Sequence, residues 1–175
     1  MDRLKSMKEL SADFLDSLLE NRVAGAWSCF NREKRAFTHR FQNETKVLMD
    51  KKKENETNLV ISVLYSSMVT GSNDYRIACY DENIYLEENP ACIFYSPEFL
   101  FRDLEEDVSE IKKHLHKNYV RLMDHEAEEI RRSYMGRLYH EGKPFFAELV
   151  KGMGEGSISI WFGEYMKSAD FMGKA

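Results

Sequence analysis

After Pro97, the stretch from Ser96 to Glu141 contains no proline and a single glycine, Gly136, which leaves its whole backbone free to be helical. Its apolar residues Leu104, Val108, Ile111, Leu115, Tyr119, Leu122, Ile130, Tyr134 and Leu138 recur at intervals that fall on one helical face. Ser96 suits an N-cap and Pro97 the first helical position. The acidic residues between Asp103 and Asp107 favour the positive end of the helix dipole.

A second run has the same character. Leu4, Met7 and Leu10 mark a short first helix, and Ser11 with Asp13 marks a fresh start. From there Leu15, Leu18, Leu19, Val23, Ala26, Trp27, Phe30, Phe37, Phe41 and Leu48 keep one face apolar up to a loop over Lys51–Asn58. These aromatic residues read as core rather than as a ligand box.

Length constrains both runs. A helix of about 40 residues is about 60 Å long, whereas a domain of this size is about 40 Å across. The runs must therefore break or project. The first is expected to break near Asn21–Gly25 and the second near Asn118 or Asp124, where Asp124, Glu126, Glu128 and Glu129 offer a new acidic first turn.

The 175 residues are 43% hydrophobic and 31% charged, enough for a single globular domain over residues 1–175 with one core. Between the helical runs, Asn58–Thr70 carries both signals: β-branched Val60, Ile61, Val63 and Val69, and a polar side of Ser62, Ser66 and Thr70 at helical spacing. Its length and Gly71 as a C-cap favour a helix. Tyr75–Tyr80 and Ile84–Glu88 read as an antiparallel pair across Asp81–Asn83, and Ala91–Tyr95 as an additional strand. Gly142–Pro144 opens a short helix through Val150. Gly152, Gly154 and Gly156 form a joint that lacks the lysine and strand of a phosphate loop. Ile158–Met166 reads as an edge strand or a docking helix, with Phe171 and Met172 packing before the end. The expectation is a mainly α, α+β fold: a helical domain with a small antiparallel β-hairpin.

A net charge of −5 provides no global positive field for nucleic acid or an anionic membrane. Cys29, Cys79 and Cys92 are odd in number and contain no CxxC pair, which suits reduced core thiols and a cytoplasmic setting. No apolar leader or membrane span is read.

Chemistry is sparse. Asp124, His125, Glu126, Glu128 and Glu129, with His140 and Glu141 beyond, are proton carriers and potential metal ligands, and His125 and Glu129 lie one turn apart. Two ligands do not make a site, and neither HExxH nor a repeated Glu-x-x-His is present. The simpler reading is a solvated helix start with ion pairs from Glu128 to Arg132. His114 and His116 point to different faces. Basic stripes run through Lys112, Lys113 and Lys117, through Arg32, Lys34, Arg35, His39 and Arg40, and through Lys46 with Lys51–Lys53. There is no GxSxG elbow and no reactive-thiol signature. The sequence thus assigns no catalytic residue, cofactor or metal ligand.

The leading expectation is a non-catalytic cytoplasmic helical protein acting by protein–protein interaction through faces in the range Asp103–Tyr139, with a homodimer or another protein as partner. The alternatives are a metal-dependent or hydrolytic enzyme using the Asp124–Glu129 region, and a nucleic-acid-associated regulator.

Overall fold

The computed structural model describes residues 3–50, 57–81, 84–86, 90–151, 153 and 158–174. In chain order the elements are α1 (Arg3–Leu10), α2 (Ala12–Met49), β1 (Thr57–Val63), α3 (Tyr65–Thr70), β2 (Tyr75–Tyr80), β3 (Cys92–Tyr95), α4 (Glu98–Phe101), α5 (Leu104–Asn118), α6 (Asp124–His140), α7 (Gly142–Leu149), β4 (Ile158–Glu164) and β5 (Ala169–Lys174). The fold is α+β. Helix accounts for 62% of it, but the β component is a five-stranded mixed sheet rather than a small hairpin.

Strand order is β3-β2-β1-β4-β5. β1 lies in the middle, antiparallel to β2 and parallel to β4, while β3 and β5 flank the sheet in antiparallel pairing. The helix expected over Asn58–Thr70 is therefore two elements. Residues Val60–Val63 form a strand buried on both faces, and such a strand has no polar–apolar alternation to reveal it. Only Tyr65–Thr70 is helical, and Gly71 closes it in the left-handed conformation (φ 74°) with its N–H on the Ser67 carbonyl.

The expected pairing of Tyr75–Tyr80 with Ile84–Glu88 is absent. β2 covers the predicted residues, but its neighbours are β1 and β3. Residues 84–86 form a turn with Tyr85 at φ 69°, and Glu87 and Glu88 lie outside the described residues. Ile84 and Tyr85 instead pack over Val60, Ala78 and Tyr80 on the sheet face away from the helices. That cover explains why all six residues of β2 are buried. The additional strand expected at Ala91–Tyr95 is β3. Ile158–Met166 yields β4, an interior strand rather than an edge, and Phe171 and Met172 fall in β5, with Phe171 exposed. The three glycines of the expected joint, and Lys51–Glu56 of the expected loop, lie outside the described residues.

The break expected near Asn21–Gly25 does not occur. α2 runs from Ala12 to Met49, with its one departure from helical dihedrals at Glu33 (φ −116°, ψ 18°). Gly25 has open space around it, so it weakens the helix without giving the chain a reason to turn. The second run does break where expected, between Asn118 and Asp124. An earlier turn at Arg102–Asp103 separates α4 from α5, and Ser96 spends its hydroxyl on the Asn73 carbonyl instead of capping.

Helices α2, α4, α6 and α7 cover the inner sheet face. There Leu59, Ile61, Tyr75, Ile77, Ile160 and Phe162 meet Phe30, Phe41, Phe145 and Phe146, all but excluded from water. Each such side chain contributes about 1.5–3 kcal/mol by leaving water. Trp27 stacks on Phe145 at 4.0 Å between ring centres, and Tyr75 meets Phe146 edge-on at 4.8 Å.

Candidate functional site

The helical stripe expected to bind a partner is turned inward. Leu104, Ile111, Leu115, Ile130, Tyr134 and Leu138 belong to this chain's own core. What α5, α6 and their connection expose is chiefly Val120 and Met123.

The acidic cluster at the start of α6 is divided among structural tasks. Glu126 is buried and accepts the Met123 backbone N–H at 3.0 Å, closing the first turn, while Arg3 Nε lies 3.0 Å from its other oxygen. Glu128 accepts both Arg131 Nε and Arg131 Nη2 at 2.8 Å, and Arg132 Nε at 3.1 Å. These hydrogen bonds, Arg131 foremost, hold its carboxyl down at about 2. His125 is exposed at the rim of a cavity of about 480 Å³ between α5 and α6, with Asp124 and Arg131 beside it and Ile111 on its wall. His140 lies away from this cavity, 3.7 Å from Glu164. Among the described residues no three His, Cys, Asp or Glu side chains converge to hold a metal ion.

His114 stacks flat on Phe14 at 4.0 Å, and burial lowers its pKa. In the basic stripe of α2, Lys34 is bound to Glu148 at 2.6 Å and Arg40 to Glu44 and Glu98 at 2.9 and 2.7 Å. The stripe is thus partly neutralised within the chain. Cys29 and Cys79 are buried as expected; Cys92 is exposed on β3, because that strand lies at the sheet edge. Among the described residues no helix is long and apolar enough to cross a membrane.

The arrangement most unlike plain packing lies on the outer sheet face. Register places Ser62, Arg76 and Phe94 side by side across β1, β2 and β3. Arg76 is only 9% exposed, yet among the described residues no carboxylate is paired with it. Its Nη1 donates to the Tyr80 hydroxyl at 2.9 Å. The guanidinium lies 4.8 Å from the Tyr165 ring centre and 5.9 Å from that of Tyr80. Burial works against the Arg76 charge, but the Tyr80 hydroxyl and the neighbouring groups outweigh it, so the net shift is upward.

Tyr85 completes the enclosure, edge-on to both Tyr80 (5.5 Å) and Tyr165 (6.0 Å), with its hydroxyl 3.4 Å from Ser62 Oγ. Tyr85 and Met166, which follows Tyr165, hold φ of 69° and 60°. Bulky residues adopt this region only under constraint, and such constraint is concentrated at ligand clamps and switch segments. Other deeply buried charges are matched: Asp107 pairs with Arg22 at 2.6 Å and Glu126 with Arg3. Arg76 departs from that rule. Sequence reading passed over it because a lone arginine in a short strand reads as a solvent-facing residue.

These features define an α+β protein whose mixed sheet carries helices on one face and an arginine–tyrosine enclosure on the other. The chain matches no family model, no curated protein and no solved structure.

Proposed function

We propose that the protein is a non-catalytic binding protein whose recognition surface is the outer sheet face around Arg76, in place of the helical faces of Asp103–Tyr139. One observation carries this reading: a largely buried arginine with no described carboxylate paired to it, framed by three tyrosines. Removing a charge from water is costly unless an opposite charge or strong acceptors compensate it; Tyr80 and the tyrosine rings supply part of that compensation, and a partner's acceptor would add to it. Tyr165, Phe94 and Leu86 are exposed at 41%, 62% and 79%, so apolar surface adjoins the charge.

The test is affinity capture with three forms of the chain: wild type, Tyr165→Ala and Val120→Ser. A partner held by wild type and Val120→Ser but released by Tyr165→Ala supports the outer face. Loss with Val120→Ser alone returns the site to the range Asp103–Tyr139, at the α5–α6 connection, and a chain that retains no partner in any form removes the reading.

A second reading, hydrolytic or metal-assisted chemistry around His125, has the cavity between α5 and α6 in its favour. Against it, both Glu128 oxygens are engaged by arginines. Zinc titration followed by calorimetry, comparing wild type with His125→Ala, tests it: heat that depends on His125 supports metal binding there.

A further inference from the structure

We propose that the Arg76 enclosure is a binding site for a single carboxylate group. The inference rests on the reading that the outer sheet face is the binding face, and names the chemistry taken there. A guanidinium carries five N–H donors in a planar fork. One is spent on Tyr80, and among the described residues the rest have no acceptor. The remaining edge is shaped for a flat two-oxygen acceptor, which it meets through two parallel hydrogen bonds.

Charge selects among the oxyanions. Among the described residues Arg76 is the cation placed in this enclosure, and Lys167, between β4 and β5, is bound to Glu164. One positive charge matches one carboxylate, whereas a phosphate monoester, with nearly two negative charges, calls for further cations, which the described residues do not place in the enclosure. The overall charge of −5 also disfavours a polyanion. Ser62, the register partner of Arg76, has its hydroxyl 3.4 Å from that of Tyr85, and the one of the pair that accepts in this contact keeps a proton to donate. The Tyr165 ring, already 4.8 Å from the guanidinium and 41% exposed, offers an apolar wall for the body that carries the carboxylate. The ligand class is therefore a monocarboxylate attached to an apolar or aromatic group.

Benzoate is a suitable probe, with uncharged benzamide and inorganic phosphate as comparators at fixed ionic strength. The full chain is titrated while its melting temperature and its arginine side-chain N–H resonances are followed by NMR. The expected result is a saturable rise in melting with benzoate, a shift of the Arg76 Nε–H resonance, and neither effect with benzamide. Tyr165→Ala, a change at an exposed side chain, is expected to raise the benzoate dissociation constant roughly fivefold to tenfold. Arg76→Gln abolishes the effect if it folds, and Tyr165→Ala keeps the test decisive if it does not.

Equal binding of phosphate and benzoate overturns the assignment, as does a benzoate response that leaves the Arg76 resonance unmoved. The sequence around residues 84–86 contains Glu82, Glu87 and Glu88. A benzoate response that emerges only when these three are changed to glutamine shows that the chain supplies its own carboxylate, and also overturns the proposal. If a partner requires Tyr165 but benzoate does not bind, the carboxylate assignment fails and the binding face stands. If benzoate binds but no partner requires Tyr165, the partner reading fails alone.

Discussion

Arg22 and Asp107 meet in a two-point pair, Nε to Oδ2 at 2.7 Å and Nη2 to Oδ1 at 2.6 Å, at the junction of α2 and α5. The Tyr134 hydroxyl donates to the same carboxylate at 2.5 Å, and Arg22 also reaches the side chain and carbonyl of Asp103. Three helices are thus tied through one carboxylate that is all but buried. Breaking such a pair from one side leaves a charge without a partner and costs about 3–5 kcal/mol. Asp107→Asn is expected to lose that much in urea unfolding, and the double change Arg22→Met with Asp107→Leu to recover most of it. A single variant within about 0.5 kcal/mol of wild type would show the pair to be incidental.

Glycines supply an opposing pair of expectations. A Cβ at Gly142 would lie 2.3 Å from the Tyr75 hydroxyl oxygen, and one at Gly163 would lie 2.2 Å from the Ser168 carbonyl oxygen. Gly25 and Gly136 face open space in helix interiors. Gly163→Ala is expected to destabilise by about 1–3 kcal/mol or more, because backbone is what must move, with Gly142→Ala also destabilising. Gly25→Ala and Gly136→Ala should each stabilise by about 0.5–1 kcal/mol. Thermal melts of the four variants give the ranking, and a stabilised Gly163→Ala would contradict the β4–β5 geometry.

Acid stability should depend on Glu128. Hydrogen bonds from Arg131 and Arg132 hold its carboxyl at about 2 in the folded chain, against an ordinary value of 4.5. A depressed carboxyl contributes stability that is present above the ordinary value and is lost as pH falls towards the folded one. The contribution therefore drains away between about pH 4.5 and about pH 2, and solvent screening keeps it modest. Glu128→Gln should flatten this part of the melting-temperature profile. Superimposable acid limbs for the two proteins would show that the ion pair adds nothing.

Much of the helical framework is legible in the sequence, because helical periodicity is a local signal. The border at Ser11, the interruption between Asn118 and Asp124, and Gly71 as a left-handed cap all follow from nearest-neighbour chemistry. The sheet is harder to read, since Val60–Val63 is buried from both sides and Ile84–Tyr85 folds over the sheet instead of pairing with it. The kink at Glu33 carries no glycine or proline to announce it. The enclosure was hidden for a related reason: Arg76, Tyr80, Tyr85 and Tyr165 become neighbours only through the register of β2 and the turns after β2 and β4.

The parallel pairing of Thr57–Val63 with Ile158–Glu164 has a consequence for how the chain acquires its shape. The two strands at the middle of the sheet come from opposite halves of the sequence, with five helices and the β2–β3 ladder between them. Closing so long a loop is entropically expensive and slow, whereas the intervening helices need only local contacts. On a ribosome, β1 and β2 would emerge with one flank of β1 still unpaired, and would wait for nearly all the remaining chain before β4 arrives. For that interval the exposed edge of β1 would be the part of the nascent protein most in need of shelter from other strands.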